Sequence, residues 1–192
     1  MLELPVGMLL GGVLLVSLVL VLLGVVHQLL GSARDARRYP PLGQLVDVGG
    51  YRLHLLCTGE GRPTVVLDSG LPGTCLSWTY VQPELVRFTR VCSYDRAGLG
   101  WSDASPHPRT SKQMVEELRR LLANAGIKPP YVLVGHSFGA FTVRLFAALN
   151  SNEVVGLVLV DPLHTREWLE MAEQQRRNIY RAARLCRYGT LL

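Results

Sequence analysis

Residues Gly135-His136-Ser137-Phe138-Gly139 constrain the fold of this chain more than any other segment. They follow Tyr131-Val132-Leu133-Val134, a β-branched run short and apolar enough for a buried strand, and precede an apolar stretch at 140–149 that reads as a helix. A strand that passes through G-x-S-x-G into a helix makes a nucleophile elbow, a tight turn holding a serine hydroxyl above the sheet in a strained conformation. Any Cβ at 135 or 139 would collide where strand and helix cross, which is the steric reason for both glycines. Ser137 then sits at a helix N-terminus, where backbone N–H groups favour the negative charge that develops in acyl transfer. A glycine-rich loop ending in a plain helix cap is the competing description. The strand before and the helix after favour the elbow.

The N-terminus sets the second constraint. No charged residue occurs from Leu4 to Ala33, and positions 6–26 are almost wholly aliphatic. About twenty such residues cross a bilayer's hydrocarbon core as a helix, so 4–30 is expected to be a transmembrane helix. A cleaved signal peptide is the alternative. It asks for a basic start and a shorter apolar core, whereas this chain opens with Glu3 and a long run; Gly31-Ser32-Ala33 would serve as a cleavage site. Arg34, Arg37 and Arg38 follow the run at once, and the positive-inside rule places that flank, and the bulk of the chain, in the cytosol. Residues 31–43 read as a basic, proline-containing hinge ending in Tyr39-Pro40-Pro41-Leu42-Gly43.

Cys57, Cys75, Cys92 and Cys186 form neither C-x-x-C nor a metal-ligand spacing, so no metal or cofactor is expected. Cys57 and Cys92 lie in apolar strand-like runs and are expected as free thiols behaving as small hydrophobes. The net charge is +5; six Arg fall between Arg166 and Arg187 and the rest are scattered, without a basic tract interleaved with aromatics. That disfavours nucleic acid as a partner and suits contact with an acidic bilayer surface.

Beyond the hinge, 44–48 and 51–57 alternate about Gly49-Gly50 as a hairpin, and 64–68, 89–94 and 154–160 read as further strands. A helix opens at Ser111 and runs to about Ala125, with apolar residues at Met114, Val115, Leu118, Leu121 and Leu122, and Gly126 stops it. A hairpin followed by apolar strands alternating with helices predicts an α/β fold with a mostly parallel sheet covered on both faces.

Four motifs in order resemble the α/β-hydrolase family over 45–162. Asp68-Ser69-Gly70-Leu71-Pro72-Gly73 stands after the third strand, where relatives usually carry His-Gly. Tyr94-Asp95-Arg96-Ala97-Gly98-Leu99-Gly100-Trp101-Ser102 matches the Tyr-Asp-x-x-Gly-x-Gly-x-Ser loop after the fourth. The elbow follows the fifth, and Leu157-Val158-Leu159-Val160-Asp161-Pro162 is similar to the sixth strand and its exit. The resemblance implies that 44–163 hold the first six strands and that 164–192 begin a cap. There Trp168, Ala172, Ile179 and Ala183 recur at near-helical spacing, and an amphipathic helix is expected over 165–186.

The resemblance also implies acyl transfer through a covalent acyl-enzyme on a small-molecule ester, thioester or amide, lipid included. Ser137 would be the nucleophile, with the backbone N–H groups of Phe138 and Leu71 as the oxyanion hole. Asp161, at the end of the sixth strand, is a candidate acid because some relatives take theirs there. Relatives supply the base from a loop after the eighth strand, and none of His27, His54, His107, His136 or His164 occupies that place. The chain is therefore expected to be a truncated form with negligible turnover. A non-catalytic, membrane-associated binding protein is the alternative. Epoxide hydrolases and haloalkane dehalogenases are disfavoured, because those relatives carry Asp where Ser137 stands.

Overall fold

A computed structural model describes residues 6–178 and 181. The chain divides into two units, one up to Pro40 and one from Pro41 onward. The first is a single helix, α1 (Val6–Arg38), whose apolar part is long enough to cross a membrane and exposes its Leu and Val side chains from Val13 to Leu30. Helix continues through Arg34, Arg37 and Arg38, so the break in regular structure is confined to 39–43 and is shorter than the hinge expected from the sequence.

The second unit is built on a six-stranded sheet. Its strands are β1 (Gln44–Asp47), β2 (Arg52–Thr58), β3 (Thr64–Asp68), β4 (Val91–Tyr94), β5 (Tyr131–His136) and β6 (Val154–Val160), in spatial order β1-β2-β4-β3-β5-β6. β1 and β2 form the expected hairpin, with Asp47 paired to Arg52. Gly49 (φ 120°) and Gly50 (φ 90°) supply the turn, and the Asp47 carboxylate accepts from both of their N–H groups. β2 also pairs antiparallel with β4, while β4, β3, β5 and β6 run parallel.

The helices are α2 (Gln82–Leu85), α3 (Ser111–Asn124), α4 (Gly139–Leu149) and α5 (Thr165–Glu170). The Thr110 hydroxyl caps α3 by accepting from Gln113 N–H at 3.1 Å. The apolar stripe of α3 meets the sheet in a core that includes Leu53, Leu55, Val66, Leu118, Leu121, Leu133, Val143 and Phe146. A smaller cluster of Leu67, Trp78, Val91 and Val134 fills the opposite face beneath a 3-10 helix (Cys75–Trp78).

Coverage is uneven, against the expectation of a sheet covered on both faces. β6 is an edge strand whose Val155, Leu157, Val158, Leu159 and Val160 remain exposed among the described residues. The helix expected over 165–186 is interrupted: α5 ends at Glu170, and helix resumes at 173–178. Ile179, Ala183 and Cys186 lie outside the described residues.

Candidate active site

β5 delivers Ser137 and α4 departs from it. Ser137 has φ 50°, the left-handed region that an L-residue occupies only under constraint, and it is half-buried. Gly135 has the steric purpose foreseen, while Gly139 is forced by a different neighbour, the end of β3. A Cβ on Gly135 would lie 2.5 Å from Val143 Cγ2 and 2.8 Å from Ala140 Cα; one on Gly139 would lie 2.8 Å from Ser69 O. The strained residue is tied on both sides of its own peptide. Ser137 N–H donates to Val160 O at 3.0 Å, and Leu163 N–H donates to Ser137 O at 3.2 Å.

The loop after β3 lies against this turn. A Cβ on Gly70 would stand 3.2 Å from Ser137 Cβ and 3.1 Å from His136 Nδ1. Leu71 is half-buried and, with Gly70, Trp78, Val81, His136 and Val160, lines a cavity of about 400 Å³. Phe138 occupies the N-cap position of α4, its ring 5.6 Å from that of Phe141.

Beneath the loop is a buried network that the sequence did not disclose. Arg96 donates through Nη1 to Asp68 Oδ1 and to Ser69 O, each at 2.5 Å, and through Nη2 to Gly70 O at 2.6 Å. Tyr94 Oη donates to Asp68 Oδ2 at 2.8 Å, and the Arg96 guanidinium lies 5.5 Å from the centre of the Phe138 ring. Burial pushes the Asp68 carboxyl up from its ordinary value, against the opposing pull of the Arg96 charge and the Tyr94 hydroxyl. Burial and the Asp68 charge push Tyr94 well up too, so it remains a donor. One guanidinium thus fixes the two carbonyls that precede Leu71 and touches the ring beside Ser137. Its positioning effect is on backbone, which a buried Arg fork bonded through both terminal nitrogens suits.

A second buried cluster joins His54, Asp95 and Cys75. Gly43 N–H donates to His54 Nε2 at 2.9 Å, which places the ring proton on Nδ1, directed at Asp95 Oδ2 3.0 Å away. Asp95 also accepts from the N–H groups of Cys75 (2.7 Å) and Trp101 (3.1 Å). Burial raises the Asp95 carboxyl, but the His54 hydrogen bond and these backbone donors outweigh it and hold the group below its usual range. The Cys75 thiol is pushed up to about 12 by burial and by the Asp95 charge. The donor atoms of the three residues lie within 4.8 Å of one another, and the cluster is a hydrogen-bonded joint between β2, the loop after β4 and the 3-10 helix.

Asp161 follows β6 with φ 42° and is exposed. His164 is exposed, its Nδ1 accepting from Arg166 N–H at 3.4 Å. The His107 ring lies 6.2 Å from that of Tyr51, and His136 meets Trp78 edge-on at 6.5 Å. His54 has both nitrogens engaged, so it is not available as a base.

The cysteine expectation is overturned. Cys57 and Cys92 are direct cross-strand partners on β2 and β4 and form a disulfide, with Cα atoms 4.0 Å apart. Each run looks like a strand holding an ordinary apolar thiol; only the strand order, which puts β4 beside β2, brings the two together.

Comparison with known proteins agrees with this geometry. Residues 63–186 match the family model described as alpha/beta hydrolase fold. Among solved structures, a thermophilic esterase from Thermogutta terrifontis is 26% identical with a TM-score of 0.60, covering 70% of this chain and 48% of its own. The epoxide hydrolase CorEH is 28% identical with a TM-score of 0.56, covering 62% of this chain and 41% of its own. A vacuolar membrane protein of Saccharomyces cerevisiae is 32% identical over 132 residues, 59% of this chain and 20% of that one. The chain spans 41% or less of the curated relatives it matches, and 40–55% of the solved ones.

Proposed function

The chain belongs to the alpha/beta hydrolase fold family, and from that footing we propose that it carries the nucleophile half of a membrane-anchored serine hydrolase. The observation that carries this reading is Ser137 at φ 50° between β5 and α4, with no room for a side chain at Gly135 or Gly139. Ser137 Oγ attacks the carbonyl carbon of an ester, thioester or amide, lipid esters included, and the leaving group departs with formation of an acyl-enzyme that water then hydrolyses. The N–H groups of Phe138 and Leu71 receive the oxyanion, and the Arg96 network holds the Leu71 loop in place for them. Asp161 is a weaker assignment as the acid, and no base is assigned among the described residues.

Relatives include both esterases and epoxide hydrolases by name. Chemistry favours the first for this site. A serine that opens an epoxide becomes an ether, which has no carbonyl for water to attack; a serine that takes an acyl group becomes an ester, which has one.

The anchor is the apolar part of α1. Two cues bear on its orientation in opposite senses. Arg34, Arg37 and Arg38 favour a cytosolic domain, whereas the Cys57–Cys92 bridge favours an oxidising compartment. Protease protection in sealed membranes separates them. The catalytic reading is tested by Ser137→Ala in an active form of the protein. Labelling by a fluorophosphonate probe, located by mass spectrometry, should vanish while circular dichroism is unchanged. Surviving ester turnover would remove Ser137 from the mechanism.

A further inference from the structure

The face that carries the 3-10 helix and α2 presents an apolar surface that the proposed reaction does not use. A groove of about 410 Å³ opens there, its walls formed chiefly by Leu42, Leu56, Cys75, Leu76, Pro83 and Val86. It exists because the β3-to-β4 connection holds only the 3-10 helix and a four-residue α2, too little helix to cover the outer part of β2. Along the connection stand Tyr80, 91% exposed, and Phe88, 84% exposed, each within two residues of the groove-lining Thr79 and Val86. Leu42 and Leu76, which line the groove, and Val81 on the connection are exposed too. Singly exposed apolar side chains are ordinary, but an apolar groove walled by a segment that carries several of them marks a contact surface. Glu84 within α2 and Arg87 just after it pair with each other at 3.1 Å and leave no net charge there.

We propose that this groove and the exposed aromatics of that connection rest on the membrane, with the headgroup–acyl boundary of the bilayer as the partner. This goes beyond the proposed reaction and rests only on the anchoring part of that reading. Lipid is selected over a protein partner by the tether. The span is read as ending near Leu30; residues 31–38 continue as helix and rise about 12 Å, and the four residues from Arg38 to Leu42 reach at most about 14 Å, so Leu42 lies within about 26 Å of the hydrocarbon edge. The surface at that attachment point is thereby kept within reach of the bilayer, where an exposed Tyr matches the aromatic composition of the interfacial layer and an exposed Phe adds apolar area.

The test uses the full chain with Cys186→Ser, reconstituted in phosphatidylcholine–phosphatidylserine vesicles. Nitroxide labels are placed at Tyr80→Cys or Phe88→Cys, with Lys128→Cys as an exposed control and Leu18→Cys as a control in the candidate span. Collision with oxygen, which partitions into lipid, is compared with collision with the aqueous nickel–EDDA complex. Oxygen should dominate at 80 and 88, as at 18, and nickel at 128. Values at 80 and 88 that match 128, while 18 reads lipid, overturn the docking and leave the anchor standing. Exclusion of both reagents at 80 and 88 overturns it in favour of a protein contact. A water-like reading at 18 overturns the anchor and the docking together. Tyr80 and Phe88 make so little buried contact that their replacement leaves the core intact.

Discussion

Alanine at Gly135 sets two effects of opposite sign against each other. On backbone preference alone the change should help, because glycine inside a strand is roughly 0.5–1 kcal/mol worse than alanine. Packing points the other way. The new methyl would lie 2.5 Å from Val143 Cγ2, 2.8 Å from Ala140 Cα and 2.9 Å from Ala140 N. Val143 is fully buried and β-branched, so it has no alternative rotamer to retreat into, and the Ala140 atoms are the backbone of α4. Restoring an ordinary 3.4 Å from Ala140 Cα requires α4 and β5 to part by 0.6 Å. Overpacking of this kind costs about 1–3 kcal/mol, which leaves a net loss of about 0.5–2 kcal/mol after the propensity gain. With a urea slope of about 2 kcal/mol/M, the unfolding midpoint of the full chain in detergent should fall by roughly 0.25–1 M. Gly156→Ala is the control: it is also a strand glycine, but its Cβ would come no nearer than 3.3 Å to the Val132 side chain, so its midpoint should stay level or rise. A Gly135→Ala midpoint at or above that of the unmodified chain would refute the crossing argument.

Arg96→Met leaves Asp68 buried without its partner and should cost about 3–5 kcal/mol in the same urea titration, with Asp68→Asn on top recovering part of the loss. Asp95 has a carboxyl held below its usual range when folded, so its contribution is present above the unfolded value of about 3.9 and is lost as pH falls through the lower folded value. Asp95→Asn should therefore destabilise the chain at pH 7, and the gap from the unmodified protein should shrink below about pH 4; a gap independent of pH would contradict the assignment. Cys57 and Cys92 should resist a maleimide–polyethylene glycol tag until reduced, and reduction should cost about 4 kcal/mol for a bridge closing 35 residues. Tagging of the unreduced, denatured chain at both positions would show the bridge absent.

Local pattern made much of this fold legible. β-branched runs marked β3, β5 and β6, the Gly-Gly pair marked the hairpin, and the period of Met114, Leu118 and Leu121 marked α3 with its stop at Gly126. The elbow was readable because Gly135 is forced by the crossing of β5 with the helix that follows it, whereas the neighbour that forces Gly139, the end of β3, is distant in sequence. The rest depends on strand order, which periodicity does not encode. His54 meets Asp95 across 41 residues, and Cys57 meets Cys92 across 35, because β4 inserts between β2 and β3. Arg96 could be quoted within its loop, but its hold on Asp68 and on the carbonyls of Ser69 and Gly70 follows from β3 and β4 running side by side. The 3-10 helix and α2 escaped notice because each is about one turn long, too short for a period.

The tie between Ser137 and the segment 160–163 has a consequence for synthesis. A chain is made from its N-terminus, and Val160 O and Leu163 N–H, which hold the Ser137 peptide from either side, are added more than twenty residues after it. Until they emerge, β5 and α4 can pack with the serine's own backbone held only through its carbonyl, which accepts from Ala140 N–H at 3.1 Å, and its N–H is left without the Val160 partner. The strained geometry at Ser137 is thus completed late in folding, when β6 and its exit add the last two of its backbone hydrogen bonds.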